Sequence, residues 1–540
     1  MSEPPSSART SRRGLLALGG AALVAAGVGL PLGTTAQTKS ASELADRLMP
    51  RPFRALFRRP PVLPVLKTSV DAEGMPVNHY TVIERTGSAQ IVPGIATPVF
   101  GYNGSVPGPV ISIDKGTRAV LRVRNQLPAK HPVFGHEFYT STHLHGSASM
   151  PQYDGYASDI TPPGFYKDYR YPNLQPARTL WYHDHGVHYT AQNAYSGLAA
   201  QYHLHDPAER ELLPQGEFDV PLTISDAMFG ARGGLGYEDN SHSGLWGDVI
   251  LVNGVPWPVM RVQRRIYRFR ILNASISRSL RPRLSTGDPL TIVATDGGLM
   301  PVAQQVADYR HGGAERYEVL IDFSKYKPGQ RIELRNLSNK NNRDYDFTDK
   351  IMAFEVTDQP VTEKRWNTIP RVLVNSDVMQ LTQLQAKKTR RIRVERGNGE
   401  WQLNGQTWSD VVASGYQSVL ADPNLNDVEV WEIENRSGGW FHPLHIHLVD
   451  FRILSRNGKA PFAYEKGPKD VVYVGENETV KLVMRFEHHR GKYMVHCHNL
   501  PHEDHDMMHQ FSVGLKRGEV DVNDPIDADP CKPDDLGPDE

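Results

Sequence analysis

Residues 496–498 read His-Cys-His, and His502 and Met507 follow within ten residues of the cysteine. A thiolate, imidazoles and a thioether are the ligand types of a blue copper centre, which takes two histidines, one cysteine and a weak axial methionine. Cys497, His502 and Met507 fill three of those four places. His496 and His498 flank the cysteine. On an extended strand they project to the face opposite Cys497, which leaves them free to hold other metal ions. The spacing therefore predicts two metal sites joined covalently through one strand.

The fourth ligand must come from elsewhere in the chain, and His442-Pro443-Leu444-His445-Ile446-His447 offers it together with two further imidazoles. Upstream stand His143-Leu144-His145 and His183-Asp184-His185. A spacing of two puts both imidazoles of each pair on one face of a strand. With 22 histidines in 540 residues, chance alone yields roughly one His-x-His; the chain holds five. His203-Leu204-His205 has no partner motif and sits in an ordinary alternating run, so it is expected to face solvent.

These segments, with the text between and around them, resemble those of multicopper oxidases and are similar to the bilirubin oxidase and spore-coat laccase branch over about residues 66 to 518. The resemblance implies a mononuclear blue site on His442, Cys497, His502 and axial Met507. It implies a trinuclear cluster with one copper on His143 and His445 and a copper pair on His145, His183, His185, His447, His496 and His498. Four copper ions are thus expected as the cofactors. Asp154 and Glu503 match acidic positions associated with proton delivery to the cluster, and Cys497 is the expected electron conduit. Asp184 is expected to act as a hydrogen-bond acceptor behind the ligands, and Trp440 either to pack over the blue site or to serve as ordinary core.

The implied activity is oxidation of phenolic, aminophenolic or tetrapyrrole donors at the blue copper, with dioxygen reduced to water at the cluster. Dioxygen takes four electrons while such donors yield them singly, so several metal ions must share the task. A lone copper would release partly reduced oxygen. A cuprous or manganese ion oxidase is weakened by the lack of a Met-rich insertion. A non-catalytic copper-binding envelope protein is disfavoured because no ligand position is vacant.

The elements that must position these residues are short alternating strands bounded by Gly and Pro turns, the pattern of Greek-key sandwiches. Tyr102-Asn103-Gly104, Val252-Asn253-Gly254 and Leu403-Asn404-Gly405 recur about 150 residues apart, each followed by a strand ending at Asn125, Asn273 or Asn435. Such a period marks duplicated units. The expected fold is all-β, with three cupredoxin-like domains at 66–207, 208–360 and 361–518. The middle one carries only His242 and His311, at no ligand spacing, and reads as a spacer without copper ligands. A cluster held by the first and third domains can form only where they meet, so metal loading and domain docking should be coupled.

Ser11-Arg12-Arg13 before the apolar run from Gly14 to Leu30 predicts a twin-arginine export signal over 1–36 and a periplasmic, cell-envelope or secreted bacterial protein. The run is too short and Gly-rich for a stable membrane span. Residues 37–65 read as a linker, basic and Pro-rich from Arg51, that opens with a short helix from Ser40 to Met49 capped by Ser40 and Glu43. Residues 519–540 read as an acidic flexible tail, and Cys531 there has no partner once Cys497 is given to copper. A net charge of -1 argues against a nucleic-acid partner. A monomer whose partners are a small organic donor and dioxygen is expected.

Overall fold

The computed structural model describes residues 40–516, 518–535 and 537, so the expected export signal lies outside the described residues. The described chain is dominated by strands. Its longest α-helix, Thr190–Ser196, has seven residues, and no described helix is long and apolar enough to cross a membrane.

Three pairs of sheets follow one another along the chain. Strands between Lys67 and His205 form a six-stranded sheet, completed by Lys532–Pro533, and a four-stranded one. Strands between Asp219 and Val356 form a seven-stranded and a four-stranded sheet, and those between Lys388 and Val513 a five-stranded and a four-stranded sheet. Each pair closes over an apolar core drawn from both of its sheets. In the first, Tyr80 and Leu121 meet Ile111 and Leu144; in the third, Ile392 and Trp431 meet Leu444 and Val495. This is the cupredoxin-like sandwich, formed three times.

The repeated asparagines explain why the same unit recurs. Asn103, Asn253 and Asn404 all take positive φ (55, 51 and 55°) ahead of their glycines, the conformation of a tight hairpin turn. Each also accepts, through its side-chain oxygen, a backbone N–H from a neighbouring strand: Ile83, Thr223 and Arg393. Asn125, Asn273 and Asn435 end the strands Arg118–Asn125, Ile266–Asn273 and Val428–Asn435, each of which pairs in parallel with a strand earlier in its unit. Parallel neighbours cannot be joined by a tight hairpin, so the chain must cross over. The terminal asparagine fixes the segments beyond its strand by donating to their carbonyls, Phe138 and Thr161 in the first unit and Trp440 and Gly475 in the third.

Three expectations are corrected here. Ser40 does not cap a helix from Ser40 to Met49. Its hydroxyl and that of Ser42 are bound to the Asp248 carboxylate, and only the single turn Asp46–Leu48 forms. The acidic tail is docked rather than loose. Lys532–Pro533 pairs with Phe165 and Tyr166 at a sheet edge, and Asp534 meets the buried guanidinium of Arg124 at 2.9 Å. His203 and His205 are buried at 7% and 6% exposure. Their strand faces the middle unit, where His205 donates to Glu209 at 3.2 Å and Glu209 in turn binds Arg270 at 2.9 Å.

Candidate metal centre

Strand alternation sorts the predicted ligands into two groups. Leu444 and Ile446 point into the core of the third sandwich, so His445 and His447 point out of it, while His442 shares the inward face of Leu444. The neighbouring strand Gly491–Cys497 is in register with Leu444 opposite Cys497 and His445 opposite His496. Cys497 therefore joins His442 inside, and His496 joins His445 outside. In the first sandwich His143 lies opposite His183 in the strand pair Thr142–His145 and Arg178–Asp184, with Leu144 turned into the core.

The outward imidazoles of the third unit meet those of the first. Their ligand atoms fall into three groups of close neighbours: His143, His145 and His445; His145, His183 and His498; His185, His447 and His496. His143 Nε2 and His445 Nε2 are 3.4 Å apart, and His496 Nε2 lies 3.1 Å from both His185 Nε2 and His447 Nε2. In three of these rings the far nitrogen is already engaged. His143 Nδ1 donates to the Asp154 carbonyl, His445 Nδ1 to the Asp470 carbonyl at 2.9 Å, and His183 Nδ1 to the Asp184 carbonyl at 2.7 Å. In His143 and His445 the facing nitrogens are thus both lone pairs, a repulsive arrangement unless a cation lies between them. Bonds of about 2.0 Å to a shared metal would span 3.1–3.4 Å at an angle of about 100–115°. His183 Nε2, His498 Nε2 and His145 Nδ1 are buried with no hydrogen-bond partner, as expected of atoms reserved for a metal.

The inward group is His442, Cys497 and His502. Cys497 Sγ is 3.3 Å from His442 Nδ1 and 3.7 Å from His502 Nδ1, and the two Nδ1 atoms are 3.3 Å apart. Both Nε2 atoms are bound elsewhere, His442 to the Ser437 hydroxyl at 2.8 Å and His502 to the Ser243 carbonyl at 3.1 Å. Met507 is buried in the same core as Cys497 and accepts the Cys497 N–H at 3.1 Å through its carbonyl. All twelve predicted ligands are at most 1% exposed. Burial pushes the imidazoles of His442 and His183 down to about 3 and that of His185 to about 4, so they stay neutral with lone pairs available to a metal. Burial pushes the Cys497 thiol up, and only a cation at this position would favour the thiolate.

Both predicted carboxylates touch the cluster imidazoles. Asp154 Oδ2 accepts from His447 Nδ1 at 2.7 Å, while its Oδ1 has no hydrogen-bond partner and lies 3.7 Å from His143 Nδ1. Burial raises its carboxyl well above the usual carboxylate range. Glu503 lies between His496 Nδ1 at 2.7 Å and His185 Nδ1 at 3.6 Å. Burial pushes Glu503 up, but those two imidazoles more than offset it and hold the group low. Asp184 accepts from the Ser141 N–H at 2.8 Å and the Asn193 amide at 2.9 Å, holding the loop behind His183 and His185 rather than an imidazole.

Trp440 is half-buried and edge-on to His502 at 6.0 Å, but Trp401, which carried no motif, stacks directly on that ring at 3.9 Å. Asp470 was also missed. Its carboxylate is 3.2 Å from His145 Nε2, and no spacing in the sequence marks it. Among the described residues the middle unit supplies no member of the ligand groups, yet it is more than a spacer. Its Ser243 carbonyl covers His502, and Gly313 approaches the His498 carbonyl so closely that a Cβ would sit 2.7 Å from it.

Two stretches, residues 85–209 and 374–516, match family models described as multicopper oxidase. The bilirubin oxidase of Albifimbria verrucaria is 41% identical, covering 84% of this chain and 80% of the relative. The laccase of Bacillus subtilis (strain 168) is 34% identical over 77% of this chain and 90% of its own. Among solved structures, the McoA multicopper oxidase of the hyperthermophile Aquifex aeolicus matches with a TM-score of 0.75 at 28% identity, covering 86% of this chain and 100% of that one.

Proposed function

The chain belongs to the multicopper oxidase family, and from that premise we propose that it oxidises phenolic, aminophenolic or tetrapyrrole donors at His442, Cys497, His502 and Met507 and reduces dioxygen at the eight outward histidines where its first and third units meet. Four copper ions, when bound, would supply one-electron acceptance from the donor and reduction of dioxygen to water.

The observation that carries this reading is the strand Gly491–Cys497. Its last residue belongs to the inward group, and the residues on either side of it belong to two different outward groups. An electron arriving at the Cys497 sulfur therefore has a route of covalent bonds, through the backbone to the imidazoles of His496 and His498, with no gap to cross. Trp401, stacked on His502, keeps water from the inward site. On the outward side the Asp154 carboxylate fixes the tautomer of His447 so that its Nε2 faces the centre, and the Glu503 carboxylate lies 2.7 Å from His496 Nδ1. The same two carboxylates are placed to hand on protons that dioxygen reduction consumes, because each is buried directly behind the ligands. The named activities of the bilirubin oxidase and laccase relatives support the donor class.

Export is part of the reading, supported by Ser11-Arg12-Arg13 ahead of Gly14 to Leu30. Replacing both arginines by lysine should leave the protein inside the cell, and unchanged export would refute that assignment. The function itself is tested by copper content from elemental analysis on the same sample used in an oxygen electrode with a phenol, an o-aminophenol and bilirubin. About four coppers per chain with oxygen uptake is the result expected. A loaded protein that consumes no oxygen with any of the three would refute the donor class.

A further inference from the structure

Arg316 opens the strand Arg316–Asp322 of the middle unit and is wholly buried. A guanidinium has five N–H donors in a fixed fork, and here every one is used. Nε donates to the Thr179 carbonyl of the first unit at 2.9 Å. One donor each goes to the Ala314 carbonyl at 3.0 Å and the Asp296 carbonyl at 3.2 Å, both in the middle unit. The remaining two clasp the Asp470 carboxylate of the third unit from both sides, with Nη1 2.7 Å from Oδ1. One side chain thus ties all three units at a single point.

Asp470 carries that tie to the ligands. Its Oδ1 lies 3.2 Å from His145 Nε2, and its carbonyl accepts from His445 Nδ1 at 2.9 Å. His145 is thereby held with Nδ1 toward the cluster and Nε2 away, the reverse of His143 and His445, and His145 Nδ1 is one of the buried atoms with no other partner. Gly146, directly after His145, makes room for the clasp: a Cβ there would sit 2.5 Å from Asp470 Oδ2 and 2.6 Å from Arg316 Nη2. Lys469, next to Asp470, is anchored in the same place by Asp296 at 2.8 Å and Glu315 at 2.9 Å, so the middle unit grips both residues of this turn.

We propose that Arg316 is a positioning residue of the cluster: by clasping Asp470 it sets the orientation of His145 and His445, which come from different units, and so couples copper binding to closure of the middle unit on the other two. This rests on the metal reading of the outward histidines. Acceptors of this kind behind a metal ligand are worth about 10- to 100-fold in metal affinity. The blue site, which Arg316 does not touch, serves as an internal control.

Arg316→Gln and Arg316→Lys would be loaded with copper, dialysed against a chelator, and examined for copper content, blue absorption and the paramagnetic resonance of the non-blue copper. Both variants should keep the blue absorption of the parent, lose cluster copper at chelator concentrations about 10- to 100-fold lower, and show an altered non-blue signal. If Arg316→Gln is recovered only unfolded, Arg316→Lys, which keeps the charge at the junction, carries the test. In an Asp470→Asn background the effect of Arg316→Lys should largely vanish, because the two act in series. Variants that melt earlier but hold cluster copper as tightly as the parent, with an unchanged signal, would overturn the proposal and make Arg316 a purely architectural residue. A parent chain that takes up no copper would sink the metal reading itself, which separates the two failures.

Discussion

Replacing Asp154 by asparagine separates the two jobs that its carboxylate can do. The amide oxygen can occupy the place of Oδ2 and keep the 2.7 Å bond from His447 Nδ1, so the imidazole keeps its orientation. A hydrogen bond to a charged acceptor contributes about 1.5–3 kcal/mol and a neutral one about 0.5–1.5 kcal/mol, so the exchange costs about 1–1.5 kcal/mol. That is about tenfold at most in copper affinity. The amide nitrogen then sits where Oδ1 now lies, 3.7 Å from His143 Nδ1, and cannot carry a proton. A lost general acid costs about 10²–10⁴ in rate. The expected result is a protein that holds its copper and whose blue absorption is bleached by donor at the parental rate without oxygen, but whose colour returns at least about 100-fold more slowly when dioxygen is mixed in. Asp154→Ala differs: it leaves the His447 N–H buried without an acceptor, and cluster copper itself should be lost. Stopped-flow absorption with copper analysis on the same samples distinguishes these outcomes. Return of the colour at the parental rate in Asp154→Asn would show that the carboxylate orients His447 and delivers no proton.

Cys497→Ser should remove the intense thiolate absorption while the histidines still bind metal, and a surviving intense blue band would refute the inward site. Asp534→Ala removes one partner of a pair in which both side chains are under 5% exposed, a loss of about 3–5 kcal/mol. It should lower the melting temperature and open residues 518–533 to limited proteolysis, and identical digestion patterns would show that the strap is held by other contacts. His131 is pushed down to about 3 by burial and by His136 beside it, and its Nδ1 accepts the N–H groups of Val133 and Phe134 at 3.1 and 3.0 Å. Its folded value lies below the unfolded one, so its contribution is complete above about pH 6.5 and is lost as pH falls, at up to about 1.4 kcal/mol per unit. Between about pH 7 and pH 5 the parent should lose about 2 kcal/mol more stability than His131→Gln. Equal losses would refute the assignment.

The histidine and cysteine groups were legible because coordination chemistry demands particular residue types and a strand imposes a period of two. His143 and His145, or His445 and His447, announce both a face and a function, and Leu444 opposite Cys497 shows the period obeyed on the partner strand as well. The sandwich repeats were legible for a similar reason, since Asn103, Asn253 and Asn404 each take a backbone conformation that few residue types tolerate. What failed was any reading in which composition stood in for environment. The tail is acidic and Pro-rich, which suggests free chain, but Asp534 lies against a buried arginine that no local rule could foresee. His203 and His205 alternate as a solvent-facing pair would, yet both faces of their strand are covered because the middle unit docks there.

The same limit explains why the middle unit reads as a spacer from its histidines alone. A metal ligand needs two things: a nitrogen on the right face, which periodicity reveals, and an acceptor on the far nitrogen that selects the tautomer. For His447 the acceptor is Asp154 of the first unit; for His502 it is the Ser243 carbonyl of the middle unit; for His145 it is Asp470, itself clasped by Arg316 of the middle unit. In these three cases the acceptor comes from a unit other than the one that carries the ligand, so the pairing exists only once the units have met. If tautomer control is shared in this way, the outward site is complete only when all three units have closed, and the inward site only when the middle unit has docked on the third. Copper added to the folded apoprotein should therefore enter more slowly in variants that loosen the Arg316 clasp, and uptake at the parental rate or faster would show that closure does not precede binding.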